Sequence, residues 1–200
     1  MITWFTSDLH LGHANIIRYC DRPFANVAEM NRALVDRWNE VVGADDTVWV
    51  LGDHAMGPIV ESLALTAQLK GYKILLAGNH DRCWYGHGPK SEIWIERYLA
   101  AGFAEIRQGT QTYDMGGRKI LLNHFPYVGD SHDEDRFNTA RPRDDGEWLL
   151  HGHVHERWDQ NDRMINVGVD VRNFRPMPET EVMALIAAGP APPPPNPDGS

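Results

Sequence analysis

The chain is 200 residues long, which suits one domain of ordinary size or at most two small ones and should bury roughly 70% of its unfolded surface. Hydrophobic residues make up 42% and charged residues 24%, values of a globular chain that exclude wholesale disorder, a collagen-like chain and a membrane-embedded one. Nineteen Lys and Arg against 28 Asp and Glu leave a formal charge of −9, so no general attraction to nucleic acid or to an anionic membrane is expected, although a bound metal would make a local site for an anion.

Cys20 and Cys83 give no disulfide framework and read as free, partly buried thiols. No apolar run approaches the ~18 residues needed to span a bilayer. The N-terminus lacks the basic and long apolar regions of a signal peptide, so a cytoplasmic location is expected.

In chain order, Ile2–Thr6 is the first short apolar run that reads as a buried strand. Asn26 is placed to cap a helix with Glu29 three residues on, and Met30, Leu34, Trp38 and Val41 mark the apolar face of that helix. A strand over Thr47–Leu51 follows, then a helix over Ile59–Leu69 stopped at Gly71, a strand over Tyr72–Ala77 and a helix over Ser91–Ala101 stopped at Gly102. Gln111–Asp114 and Arg118–Leu122 flank Met115-Gly116-Gly117 and predict a hairpin, with Lys119–Asn123 as a buried run. Trp148–His151, Met164–Val171 and Glu181–Ile186 are expected as further strands. Gly189–Ser200 holds six of the 13 prolines and reads as a disordered or polyproline-like tail after one domain over residues 1–188. Strands alternating with helices, then strands alone, suggest a mixed α/β sandwich.

The polar clusters fall at the strand ends. Ile2–Thr6 runs into Ser7-Asp8-Leu9-His10, Thr47–Leu51 into Gly52-Asp53, and Tyr72–Ala77 into Gly78-Asn79-His80-Asp81. Lys119–Asn123 ends in His124, and Trp148–Leu150 in His151-Gly152-His153-Val154-His155. Sites in open α/β sheets gather outside the carboxyl ends of the strands. Carboxylate, amide and imidazole without thiolate suit Mn, Fe, Co, Ni or Zn rather than a cysteine-based structural zinc. There are more candidate ligands than one ion needs, and two ions sharing a carboxylate would use them all.

Asp8-x-His10, Gly52-Asp53, Gly78-Asn79-His80-Asp81, His124 and Gly152-His153-x-His155 stand in the order of the calcineurin-like metallophosphoesterase superfamily, which the chain resembles over residues 8 to 155. The resemblance implies an α/β fold, a four-layer α/β/β/α sandwich of two mixed β-sheets flanked by helices, with a dinuclear metal site, and looks like a small bacterial or phage-type phosphoesterase. Carried over by position, Asp8, His10 and His155 hold the first metal, Asn79, His124 and His153 the second, and Asp53 bridges. His80, beside Asn79 and not needed as a ligand, is the candidate general acid for the leaving oxygen or a donor stabilising the developing charge, with Asp81 accepting from its other ring nitrogen to fix the tautomer. The two carboxylates do not neutralise two divalent ions, even with a bridging hydroxide, so the pocket stays positive inside a −9 protein. The implied activity is hydrolysis of a phosphodiester or phosphomonoester by hydroxide bound at the metal pair. Diesters, including cyclic nucleotides, are slightly preferred, because a small domain without a large cap insertion should have an open site.

Several residues stay outside that pattern. His54 stands where a small or apolar residue often follows the aspartate, and has no role. His13, one turn past His10, is either a phosphate or supporting contact or a helix-start residue. His151 is expected to be structural or supporting, and His87 and His132 to be solvated. Pro126–Glu147 reads as a polar loop that could wall the site, with Arg136, Arg141 or Arg143 meeting substrate phosphate. Two rival readings differ in kind. A nuclease would want a basic groove, which the charge pattern lacks. A non-catalytic scaffold would lack part of the ligand set or His80, and all are present.

Overall fold

The computed structural model describes residues 1–132, 134 and 136–193. In chain order its elements are β1 (Thr3–Thr6), α1 (Ile16–Tyr19), α2 (Val27–Val41), β2 (Thr47–Val50), α3 (Ile59–Ala64), β3 (Tyr72–Leu76), α4 (Glu92–Ala100), β4 (Glu105–Arg107), β5 (Gln111–Met115), β6 (Arg118–Leu122), β7 (Trp148–His151), β8 (Gln160–Asn161), β9 (Met164–Asn166), β10 (Met177–Pro178) and α5 (Glu179–Ala188). They build two mixed five-stranded sheets flanked by helices. One has the order β10-β1-β2-β3-β4, the other β5-β6-β7-β9-β8. In the first, β1 to β4 are parallel and β10 runs antiparallel to β1. In the second, β6, β7 and β9 are parallel, with antiparallel β5 and β8 at the edges.

Side chains alternate across a pleated strand, so one strand feeds two cores. Trp4, Val48, Val50 and Leu75 pack with Met30, Leu34 and Trp38 of α2, Leu63 of α3 and Tyr98 of α4. Phe5, Leu51 and Leu76 face the second sheet and pack with Met115, Ile120, Leu122, Leu150 and Ile165. The Phe5 ring meets the edge of Tyr113 with centroids 5.4 Å apart.

Asn26 caps α2 by accepting from Glu29 N at 2.9 Å. The Glu29 carboxylate reaches back to Ala25 N at 3.0 Å, one residue beyond the usual box. The helix expected over Ile59–Leu69 changes pitch at Leu65, where a 3₁₀ turn over Leu65–Gln68 finishes it.

Three expectations are corrected. Glu181–Ile186 lies within α5, not in a strand. Val182 and Ile186, four apart, are its buried face, and Glu179 and Glu181 occupy the first turn, where acidic side chains suit the helix dipole. Met164–Val171 is strand only to Asn166. The Asn166 side chain then donates to His155 O and Trp158 O and accepts from Gly168 N, each at 2.8 Å, which turns the chain into a 3₁₀ turn over Val169–Val171. The segment after α5 is not unpaired from its start. Ala191 and Asp162 exchange backbone hydrogen bonds of 2.9 and 3.1 Å along the edge of the second sheet. Pro194–Ser200, the rest of the expected tail, lie outside the described residues. Among the described residues, no helix is long and apolar enough to cross a membrane.

Asp46 fastens the start of the chain to the turn before β2. It accepts from Gly43 N at 2.9 Å, Ile2 N at 2.7 Å and Trp4 Nε1 at 3.0 Å. These bonds, Gly43 first, hold its carboxyl below the ordinary value. A carboxyl depressed in the folded state contributes stability above its unfolded pKa and loses it as pH falls toward the folded value. Asp46→Ala is therefore expected to lower the melting temperature at pH 7, with a gap to the parent that narrows as pH falls below about 4, the ordinary aspartate value. Calorimetry across that range checks it, and a gap independent of pH would refute the linkage.

Candidate metal centre

Because β1, β2 and β3 are parallel, their carboxyl ends open on one side, and β6 and β7 bring theirs to the same place. Backbone bonds extend the pairing past the strands. Asp8 N donates to Gly52 O, His10 N to Asp53 O and Leu11 N to His54 O, each at 3.0 Å. Gly152 N donates to His124 O at 3.0 Å. Ser7 pairs with Gly168, and Val169 N donates to Ser7 O at 3.1 Å, which sews the two sheets together beside the site.

The loops turn sharply. Asp8, His10, Asp53, His153 and His155 all have positive φ, between 50° and 71°. Side chains other than glycine rarely adopt this left-handed backbone, and its clustering marks a functional site. Two glycines make the turns possible. Gly52 has φ +93°, and a Cβ there would meet His124 Nδ1 at 2.5 Å. A Cβ on Gly152 would meet Ser7 Oγ at 2.0 Å and Asp8 Oδ2 at 2.4 Å.

The seven candidate ligands converge. Asp8, His10 and His155 each offer a ligand atom within 4.8 Å of the others, and so do Asp8, Asp53 and His124. The His10 and His155 rings stack with centroids 5.0 Å apart. His124 and His153 meet edge to face at 5.2 Å, and His153 N donates to the Asp8 carboxylate at 3.0 Å. Asn79 Oδ1 lies 3.1 Å from His124 Nε2.

The donor chemistry fits divalent cations. His124 Nδ1 is 2.8 Å from the carbonyl of Leu51, which can only accept, so that nitrogen carries the hydrogen. Nε2 then presents a lone pair toward two oxygens, Asn79 Oδ1 and, at 3.5 Å, Asp53 Oδ2. His10 Nε2 is buried without a hydrogen-bond partner, 3.7 Å from Asp53 Oδ2. A proton or a cation must sit among such groups. Protein alone answers with protons: burial opposes charge on His124, but Asp53 pushes it up to about 9. Burial raises the Asp53 carboxyl, yet His124, His80 and His10 outweigh it and hold it well below the carboxylate range. Burial raises Asp8, and burial drives His10 well below the ordinary imidazole value.

His80 and Asp81 part company. The His80 side chain is exposed at the pocket, with its ring 5.6 Å from that of His10, and its amide donates to Asp53 Oδ1 at 2.9 Å. Asp81 is fully buried and, contrary to expectation, faces away from the His80 ring. Its carboxylate accepts from Asp53 N at 2.8 Å, Gly78 N at 2.9 Å and His54 N at 3.0 Å, with Tyr98 Oη at 3.4 Å. Asp81 is thus a strut between the loops after β2 and β3, and burial beside Asp53 pushes its carboxyl up to about 7.

The unassigned residues also find places. His54 is buried with Nε2 2.8 Å from Thr66 Oγ1, and burial pulls it down to about 3. His151 is buried with Nδ1 2.7 Å from Gly152 O. His13 and His132 line a pocket of about 510 Å³ with His10, His80 and His155, whereas His87 is exposed and meets Trp84 edge to face. Arg136 and Arg141 are held on Asp130, and Arg143 pairs with Asp145, so the loop cations expected to meet phosphate have other partners. Sequence reasoning missed Asp170, Arg22 and the role of Asp130. Burial raises the Asp170 carboxyl, but His155 and Arg22 outweigh it and hold it below its ordinary value.

Two mixed sheets bring seven metal-compatible side chains together at their joined carboxyl ends. The chain belongs to the calcineurin-like phosphoesterase family, whose profile matches residues 1–157. Over 193 residues it is 39% identical to the gene 66 protein of Mycobacterium phage D29, spanning 90% of this chain and 94% of the phage protein. An uncharacterised protein of Methanocaldococcus jannaschii is 32% identical over 195 residues, covering 93% of this chain and 92% of that one. Among solved structures, a protein of unknown function from Aquifex aeolicus matches with a TM-score of 0.68 at 26% identity, over 92% of this chain and 98% of that chain.

Gly152→Ala puts a methyl group on Asp8 and Ser7. It is expected to cut metal binding at least tenfold while the variant stays folded, because the clash falls on the ligand loop and not on the apolar core. Titration of the metal-free protein with Mn²⁺ beside a thermal melt checks this, and unchanged affinity would contradict the close approach.

Proposed function

We propose that this chain hydrolyses small phosphate esters with two divalent ions of the Mn, Fe, Co, Ni or Zn group. Asp8, His10 and His155 would hold one ion, Asn79, His124 and His153 the other, and Asp53 would be shared. The observation that carries the reading is the position of Asp53 Oδ2, buried between His10 Nε2 at 3.7 Å and His124 Nε2 at 3.5 Å, where the two donor sets meet. When bound, such a pair of ions supplies water ionised near neutral pH and a clamp on phosphate oxygens.

The chain's own residues supply the remainder. His80 reaches the pocket from the loop that also carries Asn79, so its imidazole stands beside the ester and can hand a proton to the leaving oxygen. Its backbone bond to Asp53 fixes the loop relative to the shared carboxylate. His13, with its ring 5.3 Å from that of His10, is a second donor on the same wall.

Phosphodiesters, cyclic nucleotides among them, are the preferred substrates in this proposal. A phosphomonoester carries a second negative charge near neutral pH, which enzymes commonly meet with arginine or lysine. Among the described residues the pocket wall holds neither, and Glu156 adds a carboxylate. That wall tolerates a singly charged diester better than a dianion. Its volume, about 510 Å³, is in the range of ordinary small-ligand pockets.

Four outcomes are expected. Asp53→Ala should abolish activity and leave at most one ion per chain by elemental analysis; two tightly held ions in the variant would sink the assignment. With Mn²⁺, kcat/KM should be higher for bis-p-nitrophenyl phosphate than for p-nitrophenyl phosphate, and the reverse order would remove the diester preference. His80→Ala should keep two ions while kcat falls on the order of 10²–10⁴-fold for esters with poor leaving groups and much less for nitrophenyl esters. His124→Ala should lose metal and slow both kinds of ester alike. Equal slowing of both esters by His80→Ala would contradict the proton-donor role.

A further inference from the structure

Each histidine of the Gly152-His153-Val154-His155 turn has a buried aspartate against one ring nitrogen, and arginine grips each aspartate. His155 Nδ1 lies 3.3 Å from Asp170 Oδ2. Arg22 donates to both oxygens of that carboxylate, from Nε at 2.7 Å and from Nη2 at 2.9 Å. His153 Nε2 lies 3.1 Å from Asp130 Oδ2, a charge contact that is not aligned as a hydrogen bond. Arg136 Nη2 donates to Asp130 Oδ1 at 2.7 Å, and Arg141 Nη2 is 3.7 Å from Oδ2. The two aspartate side chains are only 2% and 1% exposed. Asp170 sits in a 3₁₀ turn and Asp130 in a loop, 15 and 23 residues from the histidines they face.

We propose that Asp170 and Asp130 are positioning residues, which fix the tautomer and the ring angle of His155 and His153 so that the opposite nitrogen of each stays an open donor for metal. The inference rests on the reading that these two histidines hold metal. A neutral imidazole carries one hydrogen. A carboxylate against one nitrogen keeps the hydrogen there and leaves a lone pair on the other. Metal-binding histidines commonly have such a partner on the far nitrogen, and it raises their basicity as ligands.

The arginines explain how a carboxylate can stand so close without becoming a ligand itself. A buried, uncompensated aspartate costs several kcal/mol and would be drawn to a nearby cation. The Arg22 fork compensates Asp170 and occupies both its oxygens. Arg22 also donates to Asp8 O at 2.8 Å and Leu9 O at 3.0 Å, so one guanidinium sets both the aspartate and the first ligand loop. On the other side, Asp130 further accepts from His132 N and Arg136 N, both at 3.1 Å, which pins the loop after His124 over His153. The alternative is that both ion pairs are staples with no influence on metal.

The test is calorimetric titration of the metal-free protein with Mn²⁺, for the parent, Asp170→Asn, His155→Ala and the double variant, with a melt of each. Asp170→Asn is expected to weaken one ion about 10–100-fold and leave the other within threefold. If Asp170 acts through His155, adding Asp170→Asn to His155→Ala costs nothing more. Asp130→Asn with His153→Ala should repeat the pattern on the other ion. Parent affinities in both single variants, or an equal loss from Asp170→Asn with and without His155, overturn the proposal. Should Asp170→Asn not fold, Arg136→Ala carries the test at the other pair, since that side chain is 38% exposed. It should weaken one ion at an unchanged melting temperature, and parent affinity there overturns the proposal. A parent that binds fewer than two ions overturns the metal reading itself, a result distinct from any difference among variants.

Discussion

Three carboxylates, Asp8, Asp53 and Asp81, lie in one water-poor space with the imidazoles of His10, His124 and His153, and all six are buried. Each unpaired charge taken out of water costs several kcal/mol, so the fold exists only if every one is compensated. The compensation is visible group by group. Asp81 takes three backbone amides, Asp8 takes the amide of His153, and Asp53 lies between two imidazoles. The left-handed backbone at five of the candidate ligand positions follows from this demand, because only sharp turns aim so many side chains and amides at so few ångströms.

The apolar architecture serves the same end. Parallel β1, β2 and β3 place their carboxyl ends side by side, and the core between the sheets, with Phe5, Leu51 and Leu76 against Ile120, Leu122 and Leu150, sets how far those ends stand from β6 and β7. A shift of one residue in any of these strands would turn its buried side chains outward and carry its loop away from the site. The Asp81 strut illustrates the link. It belongs to the β3 loop, yet its three amide bonds fix Asp53 and His54 in the β2 loop as well as Gly78 in its own.

Much of this was legible in the sequence, for a physical reason. Strands declare themselves as short apolar runs, and five such runs ended in Asp, Asn or His. Those endings are local, so the ligand candidates could be read without knowing the fold. The supporting groups could not. Arg22 and Asp170 are 148 positions apart, lie in no motif, and become partners only when the sheets join. Asp130 is one of several acids in the polar loop over Pro126–Glu147, and its burial is a tertiary fact. Asp81 follows His80 directly in the sequence, yet the two point to opposite sides, one to the pocket and one inward, which sequence adjacency does not reveal. The misread Glu181–Ile186 segment is short and almost wholly apolar, a stretch in which periods of 2 and 3.6 are hard to tell apart.

The pairing of β10 with β1 bears on the order of assembly. Trp4 faces Pro178 and Phe5 faces Met177, so the first strand of the chain sits inside its sheet, with its outer neighbour supplied by residues more than 170 positions later. Ser7 likewise waits for Gly168. Contacts of such separation close late, since each demands a large loss of chain freedom before it returns anything. On the ribosome, Asp8 and His10 therefore emerge well before Gly168 and Met177, the residues that complete the pairing around their strand. On the proposed reading, metal loading follows the joining of the sheets rather than seeding it.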